Sequence, residues 1–113
     1  MAIANSAITT NAAAVYTSSG NNAITTVIVC NKVVFDPVNP LTGQTTLFLW
    51  AVPAADVPGG VLDKHLIVNG LPIPAGETVT FDQEKMVLAS GDSLFAKSTS
   101  PANLVVTVST LAV

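Results

Sequence analysis

Apolar and polar residues alternate in short runs along most of the chain, and turn-forming residues separate the runs. The stretch Leu71 to Phe81 and its continuation Met86 to Ala96 predict strand, turn, strand, turn, strand. The segments Pro74-Ala-Gly76 and Ser90-Gly-Asp92 predict the two tight turns, because proline fixes φ and glycine tolerates a positive φ. The same pattern predicts strands at 15–17, 23–31, 45–52, 64–68, 77–81, 86–89, 94–99 and 104–111.

Two of these predicted strands are apolar on both faces. In 23–31, alternation predicts one face with Ile24, Thr26, Ile28 and Cys30, and another with Thr25, Val27 and Val29. In 45–52 it predicts Leu47, Leu49 and Ala51 on one face, and Phe48, Trp50 and Val52 on the other. We therefore expect the 45–52 strand to be covered on both sides.

Proline, glycine and asparagine mark the connections. Two prolines and a Thr-Gly pair predict a loop over 35–44, and Pro53 to Gly60 predicts another. The Asn69-Gly70 pair is typical of a tight hairpin turn that closes the strand before it. The charged cluster 82–85 is expected to form a solvated loop.

This pattern predicts an all-β fold, an antiparallel β-sandwich of seven or eight strands with no helix of normal length. Periodicity does not choose between jelly-roll and immunoglobulin-like topologies. Residues 15–113 are predicted to form a single sandwich domain. Residues 1–14, rich in Ala, Thr, Ser and Asn, are predicted to form an extended N-terminal arm, with a frayed terminus as the alternative.

Charge is scarce for a chain of 113 residues. Charged residues make up 10% of it and the net charge is −3, compared with about 25% charged residues in typical domains. An acidic chain without arginine argues against nucleic-acid and anionic-membrane partners, which favour a basic face. The first residues lack the basic region and long apolar stretch of a signal peptide, so synthesis in a cytoplasm is expected. A surface this poor in charge is instead expected in a subunit that packs against others.

The residues that could carry chemistry are few. His65, the only histidine, is expected at the surface or rim of the sandwich, and no nucleophile signature accompanies it. The single Cys30 is expected to be a small buried hydrophobic residue and excludes an internal disulfide. No metal-ligand, phosphate or dinucleotide motif is present, so we expect no enzyme activity, metal or cofactor. Trp50 fits either the core or the centre of an interface.

Several segments taken together resemble the small β-sandwich virion proteins of tailed bacteriophages, often met in phages of cyanobacteria and other marine hosts. The resemblance spans residue 14 to the C-terminus, with the loop 35–44 longer and richer in proline. The segments that carry it are Val15-Tyr16, Thr26-Val-Ile-Val-Cys-Asn31, Lys64-His-Leu-Ile-Val68, Ile73-Pro-Ala-Gly-Glu-Thr-Val-Thr80 and Val87-Leu-Ala-Ser-Gly-Asp-Ser-Leu94.

The resemblance implies a capsid decoration (cement) protein that bridges major capsid subunits on the outside of the head. It also implies a homotrimer, a position on the capsid surface and synthesis in the host cytoplasm. A neck, tail or fibre-attachment component is the alternative in the same class, and a carbohydrate-binding module is the alternative from another. The candidate interface residues are Ile3, Ile8, Phe35, Pro37, Pro40, Phe48 and Trp50. If the arm makes the subunit contacts, removal of 1–14 should leave a folded sandwich that no longer assembles.

Overall fold

The computed structural model describes residues 2–82 and 86–113, which form two packed antiparallel sheets. Within these residues the all-β sandwich predicted from the alternation is confirmed, and the two helical segments are short 3₁₀ turns, Ala54–Gly59 and Asp63–His65. No helix there has the length and hydropathy needed to cross a bilayer. The strands are β1 (Ala2–Ala7), β2 (Ala13–Thr17), β3 (Asn22–Asn31), β4 (Thr45–Val52), β5 (Leu66–Ile73), β6 (Thr78–Phe81), β7 (Met86–Leu88), β8 (Ser93–Ser98) and β9 (Leu104–Ala112).

The strand order identifies the topology as a jelly roll. One sheet, called here the β3 sheet, has the order β1-β9-β3-β6, and β7 also pairs with β3; the other, the β4 sheet, has the order β2-β8-β4-β5. When β6 and β7 are counted as one interrupted strand, the first strand pairs with the last, the second with the next to last, and so on inward to β4 and β5. This nested pairing is the arrangement of eight strands in two Greek keys that defines a jelly roll.

The core lies between the two sheets and is built from inward-facing residues of both. Alternation along β9 buries every second residue from Leu104 to Thr110, while the residues between them stay half-buried. Leu47 and Leu49 of β4 face the same core from the opposite sheet, as predicted. On the other face of β4, Trp50 and Val52 are also buried, so the expectation that this strand is covered on both sides is confirmed.

The segment 1–14 is extended as predicted, but it is not an arm outside the sandwich. Ala2 to Ala7 pair with β9 in an unbroken register, and Ile8, at 2% exposed, belongs to the core. A tertiary contact causes this: one edge of β9 pairs with β3, and the backbone groups of its other edge form hydrogen bonds with β1. Sequence alone shows no sign of this, because the segment has no clear apolar period. The sandwich therefore includes β1, in addition to the predicted residues 15–113.

The predicted faces of β3 are wrong because the strand contains a bulge. The register against β9 shifts between Ile24 and Thr26, which places Thr25 as the extra residue. Ile24 therefore faces the core together with Val27 and Val29, whereas Ile28 lies on the outer surface. Cys30, expected to be buried, is half-buried on the outer face.

The turns at Gly76 and Gly91 are confirmed, but the turn predicted at Asn69-Gly70 is wrong. Both confirmed glycines have positive φ, 78° and 90°. In contrast, β5 runs straight through Asn69 and Gly70. Its register against β4 shifts there, so Gly70 with its φ of +78° is the extra residue of a bulge and not the corner of a hairpin. Of the predicted charged loop 82–85, residues 83–85 lie outside the described residues.

Candidate interaction surfaces

The outer face of the β3 sheet carries no charged side chain among its described residues. Registers across β1, β9, β3, β6 and β7 place apolar and hydroxyl side chains side by side on this face, and the sheet ends before the charged residues Lys32, Glu77 and Asp82. The face comprises Ile3, Asn5, Ala7, Ala23, Thr26, Ile28, Cys30, Thr78, Thr80, Val87, Val105, Thr107, Ser109 and Leu111. Most monomeric domains intersperse charge on such a surface. A face of this composition favours packing against another protein.

Hydroxyl groups on this face bond to one another and to backbone. The hydroxyl of Thr25, the bulge residue beside this face, lies within hydrogen-bond distance of both the carbonyl (3.1 Å) and the hydroxyl (3.0 Å) of Ser109. The Thr107 hydroxyl donates to Oδ1 of Asn5 over 2.9 Å and so orients that amide on the edge strand. These bonds hold polar groups of the face in place without adding charge.

A second surface is the loop 33–44, whose tip is apolar and exposed. Val34 is 86% exposed, Val38 82% and Leu41 75%. Phe35, Pro37 and Pro40, all predicted as interface residues, are exposed on the same loop. Exposed apolar residues that are adjacent in sequence are more informative than scattered ones, because contiguous apolar patches mark interaction sites.

The base of this loop is fixed by Asn31, a residue that the sequence analysis missed. Its side chain is 1% exposed at the end of β3. The amide nitrogen donates to the carbonyls of Gly43 (2.8 Å) and Ile73 (3.0 Å), and Oδ1 accepts the backbone N–H of Val33 over 3.1 Å. The amide thereby ties both ends of the loop to the β5–β6 connection. An apolar tip on a fixed base is a pre-organised contact surface, which lowers the entropy cost of binding.

The aromatic residues of β4 lie on the face opposite the core. The rings of Phe48 and Trp50 stack with centroids 6.1 Å apart, and Nζ of Lys97 lies 5.4 Å from the Phe48 centroid. Trp50 is buried within its own chain, although on the face of β4 that points away from the core between the sheets, so it is not an exposed interface anchor. Phe48 is half-buried. A carbohydrate platform needs exposed ring faces, and this cluster offers few.

His65 is buried, not at the surface as predicted, and it joins the two 3₁₀ turns. Its Nδ1 accepts the backbone N–H of Leu62 over 3.0 Å, so Nε2 carries the proton and donates to Oδ2 of Asp56 at 3.0 Å. This hydrogen bond, together with the ammonium of Lys64 at 3.7 Å, lowers the pKa of Asp56 below its usual value of 3.8. Both ring nitrogens are therefore engaged, which leaves neither to act as a general base. The cluster is a structural clamp.

An apolar cleft of about 490 Å³ lies between the sheets, beside β5 and β6. All of its lining side chains are apolar, among them Leu49, Ile67 and Phe81. Binding sites for small molecules combine an apolar lining with a few convergent polar groups, and this cleft lacks them. In the described ranges, no three His, Cys, Asp or Glu side chains come together where they could hold a metal ion.

The predicted interface residues therefore divide by burial. Ile3, Phe35, Pro37 and Pro40 are exposed, Phe48 is half-buried, and Ile8 and Trp50 are buried within the chain. Ile8 was a wrong choice as a surface residue, because its neighbours bring it into the core. Sequence reasoning missed the exposed Val38 and Leu41, although each directly follows a proline in a predicted loop, which was a usable signal.

No protein-family model, curated protein or solved structure matches this chain.

Proposed function

We propose that this protein is a structural subunit of a tailed-bacteriophage virion, a capsid decoration protein that bridges major capsid subunits on the outside of the head. The observation that carries the proposal is the uncharged outer face of the β3 sheet, which spans five strands of a small domain. Such a face is a liability for an isolated chain and an advantage for a subunit that lies against neighbours. The resemblance of the sequence to small virion proteins supports the same role.

The mechanism is stabilisation by selective binding. A subunit that binds the assembled lattice, and not the free capsid protein, shifts the equilibrium away from disassembly by mass action. The protein needs no reaction centre for this, only contact surfaces that keep their shape. The apolar tip of loop 33–44, held by Asn31, is the second such surface and would contact the major capsid protein.

Copy number in purified particles tests the proposal. For a decoration protein, quantitative mass spectrometry of particles from the virus that encodes the chain should give a simple ratio to the major capsid protein, with hundreds of copies per head. A few copies per particle would indicate the neck, tail or fibre-attachment alternative. Absence of the chain from the particles would refute a virion role.

A binding experiment tests the loop. Val38→Asp and Leu41→Asp should weaken binding of the purified chain to heads that lack it, because each places a charge at an apolar contact. Thr42→Asp, exposed on the same loop and not apolar, is the matched control. If all three variants bind these heads as tightly as the original chain does, the loop is not part of the contact.

A further inference from the structure

The four open sheet edges of this sandwich are not equally protected against pairing with another strand. Native proteins protect edges with proline, bulges, charge or short strands. Edge strand β5 has Pro72 and two register shifts, and edge strand β2 has one register shift. The edge formed by β6 and β7 consists of two short pieces of four and three residues.

The β1 edge has none of these features. Its six residues, Ala-Ile-Ala-Asn-Ser-Ala, include no charge and no proline. The register against β9 is continuous from Ala2 to Ala7. It is thus the one edge, among the described strands, that is both regular and unguarded.

The hydrogen-bonding pattern shows which backbone groups this edge presents. The N–H of Ile8 donates to the carbonyl of Leu104 over 2.9 Å, which makes this pair a hydrogen-bonded one. Because hydrogen-bonded and non-bonded pairs alternate in an antiparallel ladder, the even-numbered residues of β1 bond to β9. The backbone N–H and C=O groups of Ile3, Asn5 and Ala7 therefore point away from the sheet.

We propose that the β1 strand pairs antiparallel with β1 of a second copy of this chain across a two-fold axis at Asn5. In such a pair, the residues whose backbone N–H and C=O groups point away from β9 must face one another. A two-fold axis at Asn5 therefore places Ile3 of each copy opposite Ala7 of the other. Asn5 then lies opposite its own copy. The pairing joins the two β3 sheets into one continuous sheet, whose uncharged outer faces lie side by side.

Three observations favour a second copy as the occupant. The strand and its neighbours carry no charge, so two chains of net charge −3 can approach here without bringing like charges together. A three-fold ring would need a head-to-tail contact, in which β1 of one copy pairs with a different edge of the next. The other three edges are protected against pairing, which disfavours such a contact. Finally, Thr107 holds Oδ1 of Asn5, which leaves the amide NH₂ free to donate to the Asn5 oxygen of the other copy.

Disulfide trapping tests both the pairing and its register. In a Cys30→Ser background, Asn5→Cys places two thiols on the axis, where Cα atoms about 5.5 Å apart lie within disulfide range. We expect a cross-linked dimer on non-reducing gels. Ile3→Cys, at another exposed position of the same strand, should give none, because its two copies lie about 14 Å apart along the strands. Mixing Ile3→Cys with Ala7→Cys should restore the cross-link.

The mass in solution gives an independent measurement. The unmodified chain should show a concentration-dependent monomer–dimer equilibrium in sedimentation experiments. Asn5→Lys should weaken it at least tenfold by opposing two like charges, while Ala13→Lys on edge strand β2 should not. A strictly monomeric or trimeric chain, or an Ile3→Cys cross-link as efficient as that of Asn5→Cys, would overturn the pairing.

This inference deepens the proposed virion role by naming the partner of one surface, and its test is separable from that role. If no cross-link forms, the β1 pairing is refuted, and the copy-number experiment still tests the virion role. Absence from particles removes the virion role and leaves the dimer standing.

Discussion

At the scale of single residues, two buried polar side chains fix local structure: Asn31 holds the base of the loop 33–44, and His65 joins the two 3₁₀ turns. The burial of Leu47 and Leu49 follows from alternation in a strand and was predictable. Asn31 and His65 are polar residues whose burial depends on carbonyl and carboxylate partners that are distant in sequence, or that lie in a separate short turn. Alternation cannot reveal such partners, because it reports only which face of its own strand a residue occupies.

Trp50→Ala should lower the free energy of unfolding by roughly 3–5 kcal/mol, the usual range for removing a buried large aromatic residue. Trp50 is 8% exposed and stacks on Phe48, so its removal leaves a cavity. Urea unfolding followed by circular dichroism measures the change. Phe35→Ala, at a ring that is 49% exposed, is the control and should cost far less. A loss below about 1 kcal/mol at Trp50 would mean that its site is not packed as described.

The Asp56 carboxylate should make stability sensitive to acid. Its hydrogen bond to His65 and the charge of Lys64 lower its pKa below 3.8 when folded. The contribution of the carboxylate is therefore complete above that value, and it is lost as the pH falls through the folded pKa. Asp56→Asn should be less stable than the original chain at pH 6, and this difference should shrink below pH 3.8.

Asp63→Asn is the matched control for this experiment, since it removes the same charge at an exposed residue of the neighbouring turn. Thermal unfolding at several pH values compares the variants. A difference between Asp56→Asn and the original chain that stays constant down to pH 2 would contradict the assigned role.

At the scale of elements, local patterning predicted where strands lie better than where they are interrupted. Every strand from β2 to β9 overlaps a predicted run, because alternation and turn residues are local signals. The bulges at Thr25 and Gly70 were not predictable. Each is defined by a shift against a partner strand, and the sequence of one strand carries no register information about the other. Asn-Gly in particular is favoured in hairpin turns and in bulges alike, since both require a positive φ.

Gly70→Ala distinguishes the bulge from an ordinary strand position. An added Cβ would meet Thr46 Cγ2 at 3.6 Å, an ordinary contact, so any cost comes from the φ of +78°. A left-handed backbone costs a residue other than glycine roughly 1–2 kcal/mol, and we expect a loss of this size in chemical denaturation. Gly59→Ala, where the backbone is not left-handed and the added atom meets nothing within 4 Å, should change stability little or raise it slightly. Equal effects at both sites would argue against the bulge.

At the scale of the whole molecule, the fold depends on pairings between the two ends of the chain. β1 pairs with β9 and β2 with β8, so residues 76 to 108 positions apart in sequence are neighbours in space. Composition and alternation predicted a sandwich, but the jelly-roll and immunoglobulin-like topologies share the same pattern of short alternating strands and turn residues. Because the choice between them is made by such distant pairings, it could not be read from the sequence.

The same nested pairing makes the fate of residues 2–14 a test of the fold. The arm interpretation expects their deletion to leave a folded sandwich that fails to assemble. The structure leads us to expect loss of the fold itself, because deletion strips β9 of its partner strand and empties the site of Ile8, which is 2% exposed. Truncation of such a residue alone costs about 2–5 kcal/mol, a large part of the 5–15 kcal/mol that stabilises a typical domain.

Urea unfolding of the truncated chain gives the answer, with Ile3→Ser as the control, since Ile3 is 68% exposed on the deleted strand. The control should unfold near the midpoint of the original chain, because removing an exposed side chain away from packed contacts changes little. The truncated chain should be unfolded or should aggregate through the newly exposed edge of β9. If instead it unfolds cooperatively at the original midpoint, β1 and Ile8 contribute little to the stability of the sandwich, and the arm interpretation is the better description of these residues.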